Sequence, residues 1–174
     1  IVAGAGSGKT KVLTSRIAHI IKKNKAFPNQ ILAVTFTNKA AKEMQLRVSK
    51  LLRKDATGLP WLGTFHSISA KLLRKHADAV RLKSNFSIID QDDQVRLIKN
   101  ICKAENVDIK KISPKFILAI IDKWKNKGFY PQDVILKRKD PLEKNFLSIY
   151  KIYQEKLINL NSADFSDLIL HTVK

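Results

Sequence analysis

The stretch "IVAGAGSGKTKVLTSRI", Ile1–Ile17, places a glycine-rich loop between an apolar strand end and an amphipathic helix. Ile1 and Val2 read as the end of a buried strand. The residues that follow, Ala3, Gly4, Ala5, Gly6, Ser7 and Gly8, are all small, which lets the chain wrap a polyphosphate with successive backbone N–H groups pointing inward. Lys9 then stands where an ammonium reaches the β and γ phosphates, and Thr10 where a hydroxyl meets Mg²⁺. The helix N-terminus behind them adds a favourable dipole. Ala3 occupies the place where the first glycine of this pattern usually stands, a small change. The loop therefore predicts binding of a nucleotide's phosphates with Mg²⁺. Beyond it, Val12, Leu13, Arg16, Ile17, Ile20 and Ile21 follow helical spacing, with the apolar members on one side.

Outward from that loop, strand and helix alternate. "ILAVTF" (Ile31–Phe36) is a continuous apolar run of the kind found in a parallel strand covered on both faces. Thr37 is placed to cap a helix with the stripe Ala41, Met44, Val48, Leu51 and Leu52. "WLGTF" (Trp61–Phe65) reads as a third strand, followed by a helix burying Phe65, Ile68, Leu72, His76 and Val80. Three strand-then-helix units in succession, the first carrying the phosphate loop, predict a parallel α/β sheet.

From about Asn85 the pattern becomes helical. Asp92 and Asp93 fall in the first turn of one helix, ahead of Val95, Ile98, Ile101 and Cys102. Ser113 with Pro114, and Asp140 with Pro141 and Glu143, read as helix starts. The second start leads a long helix with Leu142, Phe146, Ile149, Tyr150, Tyr153, Leu157 and Leu160 along one face. No repeat or linker separates this part from the sheet, so it reads as an all-helical insertion. The expected organisation is residues 1–84 as a nucleotide-binding α/β part, 85–160 as the insertion and 161–174 as a return segment.

The 174 residues carry 33 Lys+Arg against 15 Asp+Glu, a formal net charge of +18, which favours polyanionic partners. Lysine outnumbers arginine, and Ile and Asn are also frequent, so an AT-rich coding bias is an alternative source of that charge. The single cysteine, Cys102, excludes an internal disulfide framework and fits a reducing cytoplasm. No apolar run reaches the length of a membrane span. The chain has no initiator Met and is expected to be part of a longer protein.

Two further strand ends carry chemistry. Thr35, Phe36, Thr37, Asn38 and Lys39 follow one strand, and Thr64, Phe65, His66 and Ser67 the next. Both lie at the carboxyl edge of the expected sheet, the usual ligand side. Aromatic faces stack bases, while hydroxyl, amide and ammonium groups hold phosphates. Taken singly, each stretch reads equally well as core aromatics and helix caps.

Together, "AGAGSGKTKVLTSRI", "ILAVTFTNKAAKEM" (Ile31–Met44) and "GTFHS" (Gly63–Ser67) resemble the first motor domain of superfamily 1 DNA helicases of the UvrD, Rep and PcrA type. "FSIIDQDDQVRLIK" and "NSADFSDLI" (Asn161–Ile169) resemble the segments entering and leaving that domain's helical insertion. The resemblance implies an ATP-dependent DNA helicase or translocase, moving 3′ to 5′, acting in repair, replication or recombination. It implies ATP phosphates on Ala3–Thr10, with Lys9 and Thr10 as the catalytic loop residues. Phe36 becomes the stacking residue and Asn38 a phosphate or backbone contact, with Thr64, Phe65 and His66 a second strand contact. The implied partners are single-stranded DNA and its junction with duplex, with no membrane. RecB-like helicase-nuclease subunits share much of the pattern; a P-loop kinase and a non-hydrolysing ATP-responsive DNA-binding module are the other readings.

The resemblance also implies that an Asp-Glu motif, an adenine-recognising segment and a second motor domain lie outside these residues, so the chain alone is expected to bind nucleotide weakly without turnover. Asp90 follows an apolar run but stands at the start of the insertion. Lys110, Lys111, Lys123, Lys125 and Lys127 suit either duplex contact or a solvated face. The carboxylates of "DFSD" read as a helix cap, Asp164, with a first-turn acid, Asp167, rather than as a metal site.

Overall fold

A computed structural model of the chain describes residues 8–53, 58–136 and 141–174. They divide into two compact units between Ile68 and Ser69. The architecture is mixed α/β, with helices dominant and two short parallel sheets.

In the first unit α1 (Lys9–Lys22) starts at Gly8, whose φ of 80° is a left-handed conformation that glycine adopts without strain. One face of α1 buries Thr14, Ile17 and Ala18. The Thr14 hydroxyl is satisfied within the helix, donating to the carbonyls of Thr10 (2.9 Å) and Lys11 (3.0 Å), so its burial leaves no orphaned donor. Val12 and Leu13, expected on the apolar side, are exposed.

Strand β1 (Ala33–Thr35) pairs in parallel with β2 (Leu62–Thr64), and α2 (Asn38–Leu52) runs between them in sequence. The register sets Ala33 opposite Leu62, Val34 opposite Gly63 and Thr35 opposite Thr64. Thr37 caps α2, its Oγ1 accepting the Ala40 N–H at 3.1 Å. The core joins Ile17 to Ala33, Ala41, Met44, Val48, Leu59 and Leu62. Both strands are shorter than the apolar runs that announced them. Ile31 leaves a 3₁₀ turn at Pro28–Gln30, Leu32 is exposed, and Phe36 turns outward just before the Thr37 cap. The strand end at Ile1 and Val2 lies outside the described residues.

Helix α3 (Phe65–Lys75) starts at the end of β2. It stops short of the expected stripe. Ala77–Val80 form a 3₁₀ turn closed by Arg81 at φ 62°, and both Phe65 and His76 are exposed rather than buried.

The second unit packs Leu73, Ala77, Leu82 and Phe86 against Ala163 and Leu168. Its larger core unites α4 (Gln91–Ala104), α5 (Pro114–Lys125) and α6 (Pro141–Asn159) through Ile98, Ile101, Cys102, Ile117, Ile121, Phe146, Ile149, Tyr150, Tyr153 and Leu157. Asp90 caps α4 by accepting the Asp93 N–H at 2.9 Å, and Ser113 caps α5 by accepting the Phe116 N–H at 3.2 Å, as their sequence positions predict. Asp140 lies outside the described residues. Leu142 and Leu160 stay exposed, because the buried face of α6 runs only from Phe146 to Leu157.

Strands β3 (Ser87–Ile88) and β4 (Ser162–Ala163) also pair in parallel, and α7 (Phe165–Val173) follows. Asn161, at φ 47°, ties the pair: its Oδ1 accepts the Lys83 N–H at 2.8 Å and its amide donates to Asn85 Oδ1 at 3.1 Å. Among the described residues no helix is long and apolar enough to cross a membrane.

Candidate nucleotide and nucleic-acid site

Of the loop expected to hold ATP, Gly8, Lys9 and Thr10 are described, while Ala3, Gly4, Ala5, Gly6 and Ser7 lie outside the described residues. Gly8 closes the loop and is exposed; its carbonyl accepts the Val12 N–H at 3.0 Å, the first bond of α1. No acidic residue sits in the first turn. The exposed start of α1, with the Lys9 ammonium and the Thr10 hydroxyl, has the donor chemistry that a polyphosphate requires.

The parallel register of β1 and β2 brings the next two predicted stretches together. Because Thr35 is paired with Thr64, the residues that follow them, Phe36 and Phe65, leave the sheet side by side. Their ring centroids are 5.4 Å apart with the planes tilted by 54°. Phe36 is 90% exposed and Phe65 42%, so this aromatic pair is open to solvent rather than part of the core. Such a face is expensive to leave in water and is well suited to a base.

Each ring is anchored by the helix start next to it. Thr64 and Ser67 bond reciprocally: Ser67 Oγ accepts the Thr64 N–H at 2.9 Å and donates to the Thr64 carbonyl at 3.0 Å, while Thr64 Oγ1 accepts the Ser67 N–H at 3.2 Å. Gly63 makes room for this turn, since a Cβ there would stand 2.6 Å from Ser67 Oγ. His66 is exposed on the first turn of α3, and Asn38 and Lys39 are exposed on the first turn of α2. A shallow depression on α2 is lined by Asn38, Lys39, Lys42, Glu43 and Leu46. The described part of this unit thus gathers Thr35, Phe36, Thr37 and Asn38 with Thr64, Phe65 and His66 along the carboxyl ends of two adjacent strands.

In the second unit one lysine contradicts its expectation. Lys125 is 2% exposed, belonging neither to a solvated face nor to a duplex-contacting one. It sits four residues beyond Ile121 and eight beyond Ile117 on the buried side of α5, and its Nζ meets Asp164 Oδ2 at 2.6 Å and Asp167 Oδ1 at 2.7 Å. A cation repeating the spacing of two buried isoleucines was the available signal. Burial works against the charged amine, but the two carboxylates outweigh it and hold the Lys125 pKa above the ordinary lysine value.

Asp164 and Asp167 form the predicted cap of α7. Asp164 Oδ1 accepts the Asp167 N–H at 2.8 Å, and Asp167 Oδ2 accepts the Asp164 N–H at 3.3 Å. Among the described residues no group of three or more possible metal-binding side chains occurs. Burial and the neighbouring Asp167 charge raise the Asp164 pKa, whereas at Asp167 the Lys125 ammonium overcomes burial and lowers it. The cluster extends outward. Tyr153 donates to Asp164 Oδ2 at 2.9 Å, Gln154 Nε2 donates to Asp167 Oδ1 at 2.9 Å, and the Tyr130 hydroxyl lies 2.8 Å from His171 Nδ1. Burial holds the His171 pKa below the ordinary histidine value, against the pull of Asp167. The His171 Nε2 lies 3.8 Å from Asp167 Oδ1.

These features define a mixed α/β protein with an exposed aromatic edge, and comparison with known proteins specifies its family. The family model for the UvrD/REP helicase N-terminal domain matches residues 1–174, and the chain belongs to that family. It is 48% identical over 174 residues to a probable DNA helicase II homolog of Rickettsia conorii, covering 98% of this chain and 26% of that protein. It is 43% identical over 173 residues to the ATP-dependent DNA helicase PcrA of Staphylococcus epidermidis, covering 99% and 24%. A probable DNA helicase II homolog of Mycoplasma capricolum is 45% identical over 178 residues, covering 100% and 24%. The chain therefore spans about a quarter of the length of these relatives. Family membership leaves the kinase reading without support.

Proposed function

We propose that this chain is the nucleotide- and strand-binding part of the first motor domain of an ATP-dependent DNA helicase, moving 3′ to 5′ along single-stranded DNA. The observation that carries the reading is the exposed Phe36–Phe65 pair at the carboxyl ends of β1 and β2. In this reading residues 1–84 are the RecA-like part with its P-loop, 85–160 the helical insertion and 161–174 the return towards the motor. The parallel β3–β4 pair supports that division, since it joins the residues just before the insertion's helices to those just after them.

The mechanism follows from the residues. Ala3–Thr10 cradle the phosphates of ATP, with Lys9 countering their charge and the Thr10 hydroxyl offered to Mg²⁺. ATP, when bound with Mg²⁺, supplies a phosphoryl group whose transfer to water releases the free energy used for movement. Phe36 and Phe65 offer ring faces to successive bases, a contact indifferent to sequence, as a translocating protein needs. Asn38, Lys39, Thr64 and His66 hold the sugar-phosphate backbone beside them. Exposed Lys110, Lys111, Lys123 and Lys127 give the insertion a cationic surface for the duplex ahead of the junction.

The test is binding of a fluorescent single-stranded oligonucleotide across a salt series, with and without Mg-ATP. The expected result is an affinity falling steeply with salt, by a log-log slope of about −0.7 per phosphate contacted. Lys9→Ala should abolish nucleotide binding while sparing most of the strand affinity. A salt-independent affinity, or nucleotide binding that survives Lys9→Ala, would sink the reading.

A further inference from the structure

The chain passes from β2 to α3 without a connecting residue, since the strand ends at Thr64 and the helix starts at Phe65. Thr64 is therefore both the last rung of the ladder, opposite Thr35, and the cap of α3, its Oγ1 accepting the Ser67 N–H at 3.2 Å. One side chain three residues on holds it in return. Ser67 Oγ accepts the Thr64 N–H at 2.9 Å and donates to the Thr64 carbonyl at 3.0 Å, so a single hydroxyl closes on both polar groups of that backbone. In the usual reciprocal cap the third helical residue is Glu or Gln, whose longer side chain reaches back. A serine reaches only across a tighter turn. Gly63 leaves the room for it, because a Cβ there would stand 2.6 Å from Ser67 Oγ.

The two residues bracketed by these bonds, Phe65 and His66, are exposed, whereas Thr64 and Ile68 are buried and Ser67 is half-buried. The clamp thus fixes backbone whose side chains face water, where packing supplies little restraint. Phe36 is held differently: it precedes its cap, Thr37, and its ring is 90% exposed against 42% for Phe65. Phe65 is the reference ring of the pair. We propose that Ser67 is a positioning residue for strand binding, its hydroxyl holding Phe65 at the distance and tilt from Phe36 that present both rings together to single-stranded DNA. It acts through Phe65, and a ring already in place spares the strand the entropy of ordering it. This role rests on the strand-binding reading above, but the ring geometry it invokes is measurable without DNA.

The test compares Ser67→Ala with Ser67→Thr, which keeps the hydroxyl, following thermal unfolding of each. Without DNA, the nuclear Overhauser cross-peak between the Phe36 and Phe65 rings should fall in Ser67→Ala and be retained in Ser67→Thr. With a fluorescent single-stranded oligonucleotide, Ser67→Ala should lower affinity about three- to tenfold and Ser67→Thr should restore it. In a Phe65→Ala background the same Ser67→Ala change should cost nothing further, since the ring it positions is gone. A merely structural serine would weaken binding equally in both backgrounds. The same comparison with Ser67→Cys, which keeps the side chain's shape while weakening its hydrogen bonds, covers the case in which the alanine variant does not fold. An undiminished cross-peak in Ser67→Ala, or additive losses in the double variant, would overturn the positioning role and leave the strand reading intact. Unchanged affinity in Phe65→Ala would overturn the strand reading and this role with it.

Discussion

Phe36 and Phe65 are 29 positions apart in sequence, yet their rings lie 5.4 Å apart because each directly follows one member of the paired residues Thr35 and Thr64. A shift of one residue in that register would carry one ring away from the other. The two aromatics therefore act as one surface.

Truncating either ring should weaken single-strand binding without unfolding the protein. Phe36→Ala is expected to cost about 1–3 kcal/mol of binding, roughly 5- to 150-fold in affinity. Fluorescence anisotropy at one fixed salt concentration measures it, and the melting temperature should barely move because the ring is almost fully exposed. A double-mutant cycle with Phe65→Ala should show clear coupling between the rings.

Gly63→Ala is expected to destabilise the first unit by about 1–3 kcal/mol. The added Cβ would press on Ser67 Oγ at 2.6 Å and on Ile68 Cδ1 at 3.2 Å, and Ser67 is held by its bonds to Thr64. Urea unfolding gives the magnitude. Strand affinity should fall as well, since the displaced turn carries Phe65 and His66.

Lys125→Met should be severe. Removing the cation leaves Asp164 and Asp167 facing each other inside the unit, at a cost of about 3–5 kcal/mol. Adding Asp164→Asn and Asp167→Asn to the same protein should restore part of the loss, and denaturant midpoints for the single and triple variants check it.

His171 sets an acid limit. Its pKa is lowered from 6.5 in the folded protein, so the unfolded chain binds the extra proton first as pH falls. Its contribution to stability is full above 6.5 and is lost as pH drops towards the folded value. The groups facing the ring are Asp167, Lys125 and Tyr130. Urea midpoints should decline from pH 7.5 to 5.5 in the parent, and His171→Asn should flatten that decline.

Much of this was legible in sequence because it is local. The caps at Thr37, Asp90, Ser113 and Asp164, and the helices they start, all depend on neighbours within a few residues. The parallel sense of the strands was readable too, from strand and helix alternating. What sequence missed depends on distant partners. Periodicity gave His76 a place on a buried helix face, but the helix had already ended at Lys75. Lys125 looked like one more surface lysine, because Asp164, 39 positions away, is what makes its burial possible. Neither Tyr130 with His171 nor the unpaired oxygen of Gln154 carries a pattern within its own segment.

The β3–β4 ladder has a kinetic meaning. It joins backbone around Lys83 to Asn161, 78 positions further on, through only a few hydrogen bonds, so closing it early would cost chain entropy with little return. It is expected to form last, once α4, α5 and α6 have packed and carried the chain back. The amide protons of Ser87 and Ile89, which donate to Asn161 and Ala163, are thus natural reporters of a completed unit. Their exchange with solvent would register any loosening of the helical insertion before its helices themselves come apart.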